Sequence, residues 1–127
     1  MKATILVIED DDASRQLVTY LLEAAGHRVL AAENGALGLG LALAEGPDLI
    51  LCDLQMPVMN GYEFIEAFAL MDLPDKSAIT IVVLTSSADP NDLARAKELG
   101  IKYYFNKPLT REEIKKMIGQ EFSYDLN

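Results

Sequence analysis

Five apolar runs of strand length, Thr4–Ile8, Arg28–Ala32, Asp48–Cys52, Ile79–Leu84 and Ile101–Phe105, recur along the 127 residues, and the segments between them have helical length. Four of the five lack clean apolar–polar alternation. A strand wet on one face alternates, whereas one covered on both faces need not, so the pattern predicts a parallel sheet between two helical layers. Parallel neighbours cannot be joined by a tight turn, and single strands alternating with single helices satisfy that constraint with right-handed crossovers.

Helix boundaries support the alternation. Leu17, Val18, Leu21, Leu22 and Ala25 fall on one helical face, with Gly26 as a stop. Asn60 stands three residues before Glu63, Asp89 precedes Pro90, and Thr110–Glu113 reads as a capping box ahead of Ile114, Met117 and Ile118. The ambiguous stretch is "GALGLGLALAEG", residues 35–46, where leucines alternate as in a strand and Gly38 and Gly40 each disfavour helix by about 1 kcal/mol. A helix is still expected there, because a strand would leave two successive strands without a crossover. The fold class is therefore α/β, a doubly wound five-stranded parallel sheet with helices on both faces.

The chain is half hydrophobic, which suffices for one domain over 1–127 and leaves little for a second, and because it stops within about one helix length of its fifth expected helix, no DNA-binding or enzymatic domain is expected beside it. No run approaches the roughly 18 apolar residues of a membrane span, and no signal-peptide pattern opens the chain, so a soluble cytoplasmic protein is expected. Cys52, the single cysteine, lies in an apolar run and reads as a buried reduced thiol. His27 reads as a surface residue after a helix end. The formal charge of −9 is uneven, with 3 basic against 10 acidic residues in positions 1–64. Such acidity repels a nucleic-acid backbone, so protein partners or cations are expected instead.

In a doubly wound sheet, ligands bind beyond the carboxyl ends of the strands. Those ends carry the polar candidates: Glu9 and Asp10 after the first strand, Asp53 after the third, Thr85 and Ser86 after the fourth, Lys107 after the fifth. If the first and third strands are neighbours, three carboxylates converge, and like charges about 4 Å apart repel by roughly 4 kcal/mol at an effective dielectric near 20. A divalent cation between them resolves the conflict, and all-oxygen ligation favours Mg²⁺, or Mn²⁺. With Lys107 as a fixed cation and Thr85 as a hydroxyl donor, the set suits a phosphoryl group. Asp11 and Asp12 read as helix-capping residues rather than ligands.

The stretches "ILVIEDD", "DLILCDLQMPVMNGYEF", "IVVLTSS" and "YYFNKPL" together resemble the response-regulator receiver domain of two-component signalling, in the family's order and over essentially the whole chain. The resemblance implies the strand order 2-1-3-4-5. It implies that Asp53 is the phosphoacceptor, fed by a phosphohistidine on a sensor histidine kinase or histidine phosphotransfer protein, and that a downstream protein reads the result, with the chain a monomer or weak dimer. Mg²⁺ would be held by Asp10, Asp53, the backbone carbonyl of Gln55, and Glu9 directly or through water. Thr85 would bind the phosphoryl group and Tyr104 turn inward behind it. Lys107 would contact phosphoryl oxygens, with a cis bond to Pro108, and Gln55 and Ser86 would set the phosphate lifetime. Three departures from the common pattern stand out: Glu-Asp for the usual Asp-Asp pair, the long "MDLPDKSAIT" connection, and the glycines at 38 and 40.

Rival readings fare worse. A haloacid-dehalogenase-like phosphatase needs a second aspartate where Gln55 stands, and a flavodoxin-like carrier needs a Ser/Thr/Gly-rich phosphate loop where this chain has "EDDD". A receiver-like module that binds partners without phosphorylation remains the alternative.

Overall fold

Among the described residues strands and helices alternate: β1 (Thr4–Ile8), α1 (Asp12–Ala24), β2 (Arg28–Ala32), α2 (Gly35–Glu45), β3 (Leu49–Asp53), α3 (Gly61–Ala69), β4 (Thr80–Thr85), α4 (Pro90–Glu98), β5 (Tyr103–Asn106) and α5 (Arg111–Phe122). This is a computed structural model, and it describes residues 3–54, 59–71, 79–85, 90–101, 103–107 and 110–122, with side chains given as far as 116. The strands are parallel and ordered β2-β1-β3-β4-β5. β1 and β2 keep the expected limits, whereas β3, β4 and β5 are displaced by one or two residues, chiefly because the sheet takes in the polar ends Asp53, Thr85 and Asn106.

Strand periodicity divides the core into two layers. Ile5, Val7, Leu49, Leu51, Val82 and Leu84 pack against Val18 and Leu22 of α1 and Ile114 of α5. Their alternates Leu6, Ile8, Ile50, Cys52 and Val83 meet Ala42 of α2 and Phe64, Ile65 and Phe68 of α3. β1 and β3 are buried on both faces, which is why neither alternates. Cys52 is a free, buried thiol whose pKa is pushed well up by burial, as its apolar setting predicts.

α2 is helical despite its alternating leucines. Asn34 caps it by accepting from the Leu37 N–H at 2.9 Å, and Gly46 ends it in a left-handed conformation (φ 55°). Its inward stripe is Gly35, Gly38 and Ala42, while Leu37 and Leu43 face solvent. A Cβ on Gly38 would lie 2.4 Å from Ile8 Cδ1, so the glycine lets α2 settle close against β1. The unfavourable propensity is offset by packing that no larger residue allows.

Two expectations need correction. On α1, Val18 and Leu22 are buried and Leu21 partly so, whereas Leu17 and Ala25 are exposed, because the helix presents only a narrow stripe to the sheet. His27 is not a surface residue: it is 6 % exposed, and its Nδ1 accepts the Ala3 N–H at 3.1 Å. Gly26 (φ 93°) turns the chain so sharply that the residue after the helix drops straight beside the start of β1. Burial holds the imidazole below its ordinary pKa.

Asn60 and Glu63 close a reciprocal capping box at α3, on the opposite side of the sheet from α1, and Thr110 with Glu113 makes the corresponding contacts at α5, on the α1 side. α3 is tied to α4 by the Tyr62 hydroxyl, which donates to the Asp92 carbonyl at 2.9 Å, and by Arg95, whose guanidinium lies 4.0 Å over the Tyr62 ring and 3.4 Å from Glu66. Burial and the Asp92 contact push the Tyr62 hydroxyl up to about 12.

Candidate functional site

Sheet register assembles the site. Ile8 pairs with Cys52, so the residues that follow them, Glu9 and Asp53, leave the sheet side by side. Asp53 pairs with Leu84, which places Thr85 one step beyond it, and Thr85 pairs with Asn106, which brings Lys107 to the same edge. The backbone continues the ladder at the rim, with the Lys107 N–H donating to the Thr85 carbonyl at 2.8 Å and the Leu54 N–H to the Leu84 carbonyl at 3.0 Å.

Among the described residues, Glu9, Asp10 and Asp53 each offer a carboxylate oxygen, all within 4.8 Å of one another. Glu9 and Asp53 are each only 2 % exposed, while Asp10 faces solvent. Lys107 partners both buried carboxylates: its Nζ lies 3.2 Å from Asp53 Oδ2 and is hydrogen-bonded to Glu9 Oε1. The other Glu9 oxygen accepts the Asp11 N–H at 3.3 Å. Thus the longer glutamate arm, unusual beside the common Asp-Asp pair, spans from its own turn to the lysine.

The electrostatics follow from one ammonium serving two buried carboxylates. Burial raises the pKa of Glu9, and its hydrogen-bonded contact with Asp53 raises it further, outweighing the lowering by Lys107. Burial alone would lower Lys107, but its contacts with Glu9 and Asp53 prevail and hold it above the ordinary value, so the ammonium is charged throughout the physiological range. Three carboxylates against one ammonium leave a net negative, all-oxygen cluster, which suits a hard divalent cation and fits the metal expected from the sequence.

Thr85 is fully buried. It shares strand parity with Val83, whose neighbour on β5 is Tyr104, and both lie on the α2–α3 face of the sheet. Tyr104 is partly buried there. Asp11 caps α1 by accepting the Ser14 N–H at 2.8 Å, and these contacts with Ser14 hold its carboxyl below the usual range, as its reading as a capping residue requires. Gln55, Ser86 and the Lys107–Pro108 bond lie outside the described residues. Arg15 was not singled out in the sequence, yet its Nη1 donates to the Glu9 carbonyl at 2.9 Å. No motif marks it; the one hint is a cation three residues after Asp12 in an otherwise acidic segment.

Comparison with known proteins shows the family and the fold. Residues 5–119 match the family model described as the response regulator receiver domain. Protein PilH of Pseudomonas aeruginosa is 35 % identical over 92 % of this chain and 95 % of its own length, and the polar-differentiation response regulator DivK of Brucella anthropi is 31 % identical over 94 % and 98 %. Among solved structures, the chemotaxis protein CheY4 of Vibrio cholerae superposes with a TM-score of 0.85 at 29 % identity, covering 94 % of this chain and 98 % of that one. The strand order 2-1-3-4-5 is the one these relatives imply. The chain belongs to the response regulator receiver domain family, whose members act in two-component phosphorelay signalling.

Proposed function

We propose that Asp53 accepts a phosphoryl group from a phosphohistidine on a sensor histidine kinase or histidine phosphotransfer protein, and that the phosphorylated surface is read by a downstream protein. The observation that carries this reading is the Lys107 ammonium 3.2 Å from a buried Asp53 carboxylate that also neighbours Glu9 and Asp10. In the transfer, an Asp53 oxygen forms the new O–P bond as the N–P bond of the donor breaks. The electron pair departs on the imidazole nitrogen, which takes up a proton. Glu9, Asp10 and Asp53 are the side chains that would hold Mg²⁺, or Mn²⁺ in its place, with the Gln55 carbonyl as a further ligand. When bound, the ion would supply charge neutralisation for phosphoryl oxygens. Lys107 takes a third oxygen, and the Thr85 hydroxyl binds the product.

Thr85 and Tyr104 share one sheet face, which supports a switch in which Thr85 moves toward the phosphoryl group and Tyr104 turns inward behind it. Phosphorylation then shifts an existing equilibrium of the β4–α4 and β5–α5 units. Gln55, two positions along the chain from the acceptor, and Ser86, the residue after Thr85, would set how long the phosphate lasts. The protein turns over no substrate of its own, catalysing its own phosphorylation and slow dephosphorylation in the cytoplasm.

The deciding measurement is intact mass after incubation with acetyl phosphate, with and without Mg²⁺, for the wild type and Asp53→Ala. One Mg²⁺-dependent phosphoryl adduct, absent from the variant, is expected. A folded wild type that gains no adduct and fails to bind beryllofluoride would leave the phosphorylation-independent binding module as the better account.

A further inference from the structure

Where β1 ends, the chain must leave the sheet within three residues and start α1, and it must do so with Glu9 aimed at Asp53. The Glu9 N–H is still in the ladder, donating to the Ala32 carbonyl at 3.0 Å, but the Glu9 carbonyl has left it. A buried carbonyl without a partner is costly. Arg15 supplies the partner: Nη1 donates to the Glu9 carbonyl at 2.9 Å and lies 3.5 Å from the Asp10 carbonyl, while Nη2 pairs with Asp12 Oδ1. Its own N–H closes the first turn of α1 on the Asp11 carbonyl at 2.9 Å. The Arg15 side chain is only 19 % exposed, so this fork is held rather than waving in solvent.

We infer that Arg15 is a positioning residue for the metal site: its guanidinium clamps the backbone of Glu9 and Asp10 so that their carboxylates converge on Asp53 before any cation arrives. The inference rests on the reading of Glu9, Asp10 and Asp53 as metal ligands. It makes a claim opposite in sign to simple electrostatics. A cation beside a divalent-metal site repels the metal, so a purely electrostatic Arg15 would weaken binding and its removal would strengthen it. A clamp acts in the reverse direction, since outer contacts that orient ligands are worth about 10- to 100-fold in metal affinity. The planar fork matters because it presents its donors to a carbonyl and a carboxylate in one rigid geometry, whereas a lysine ammonium is a point charge on a flexible stem.

The test is titration of the metal-free protein with Mg²⁺, followed by amide NMR shifts around residues 9–12 and 53–54, for wild type, Arg15→Ala, Arg15→Lys and Asp53→Asn, with thermal unfolding as the check on folding. Arg15→Ala is expected to raise the Mg²⁺ concentration at half-saturation about tenfold. Arg15→Lys, which keeps the charge and loses the fork, is expected to do nearly the same. The acetyl phosphate reaction of both variants recovers at saturating Mg²⁺, because Asp53 and Lys107 are untouched. Unchanged or tighter binding in Arg15→Ala overturns the inference, as does wild-type affinity in Arg15→Lys. If Arg15→Ala does not fold, Arg15→Lys decides alone. A wild type that binds no Mg²⁺, or an Asp53→Asn that binds it equally well, overturns the metal-site reading itself and the inference with it.

Discussion

Lys107→Met is expected to slow phosphorylation by acetyl phosphate by about two to three orders of magnitude while tightening Mg²⁺ binding. The two effects have opposite signs because the ammonium does two things. In the structure it bonds Glu9 and lies 3.2 Å from Asp53, so it would compete with a divalent cation for these two carboxylates. Removing it removes a competitor and leaves two buried carboxylates facing each other, a pair that draws in a cation strongly. In the proposed transfer, however, charge would spread over the phosphoryl oxygens, and Lys107 would be the protein's own fixed cation beside them. Rates from intact mass over a range of Mg²⁺ concentrations separate the two. An undiminished rate at saturating metal would remove Lys107 from the chemistry. Weaker metal binding would mean that the ammonium orders the carboxylates rather than competing for them. Together with the Arg15 variants, this gives two nearby cations with opposite expected effects on one affinity.

Gly61→Ala is expected to cost about 3 kcal/mol of stability, enough to lower Tm by roughly 10 °C. Gly61 opens α3, and its N–H donates to the Leu54 carbonyl at 3.1 Å. An added Cβ would lie 2.8 Å from the Asp53 carbonyl oxygen and from Leu54 Cα, which are backbone atoms that no rotamer change can move aside. Relief requires shifting either α3 or the end of β3, and the second displaces the acceptor, so slower phosphorylation should accompany the lost stability. Gly40→Ala is the control. It sits on the solvent side of α2 with nothing within 4 Å of an added Cβ, and is expected to stabilise the protein by about 1 kcal/mol. Urea unfolding of both variants measures the difference. Equal midpoints would show that Gly61 is not held by contact with the β3 end.

The two glycine positions also show where sequence reading stops. Gly38 and Gly40 look alike in "GALGLGLALAEG", each a weak point in a helix. Only the packed structure separates them, since one meets Ile8 and the other meets solvent. Likewise His27 follows a helix stop, which in sequence reads as a surface position. Its burial comes from the start of β1, which lies 24 residues away along the chain. Leu17 belongs to an apolar cluster in sequence, yet faces outward because the width of the buried stripe is set by what lies opposite.

What the amino-acid order determined by itself is everything that depends on neighbours along the chain. That covers the alternation of strands and helices, the caps at Asn60 and Thr110, and the polar residues that end each strand. Those features follow from side-chain periodicity and from hydrogen bonds spanning three or four residues, so they are written locally. Tertiary structure decided how those strand ends meet. Strand register placed Glu9 beside Asp53, the reach of Lys107 from β5 joined the two, and the turn after β1 brought Arg15 under the Glu9 carbonyl. These are distances between residues far apart in sequence or across a turn, and they are set by close packing and by the need of each buried polar group for a partner, which no local pattern encodes.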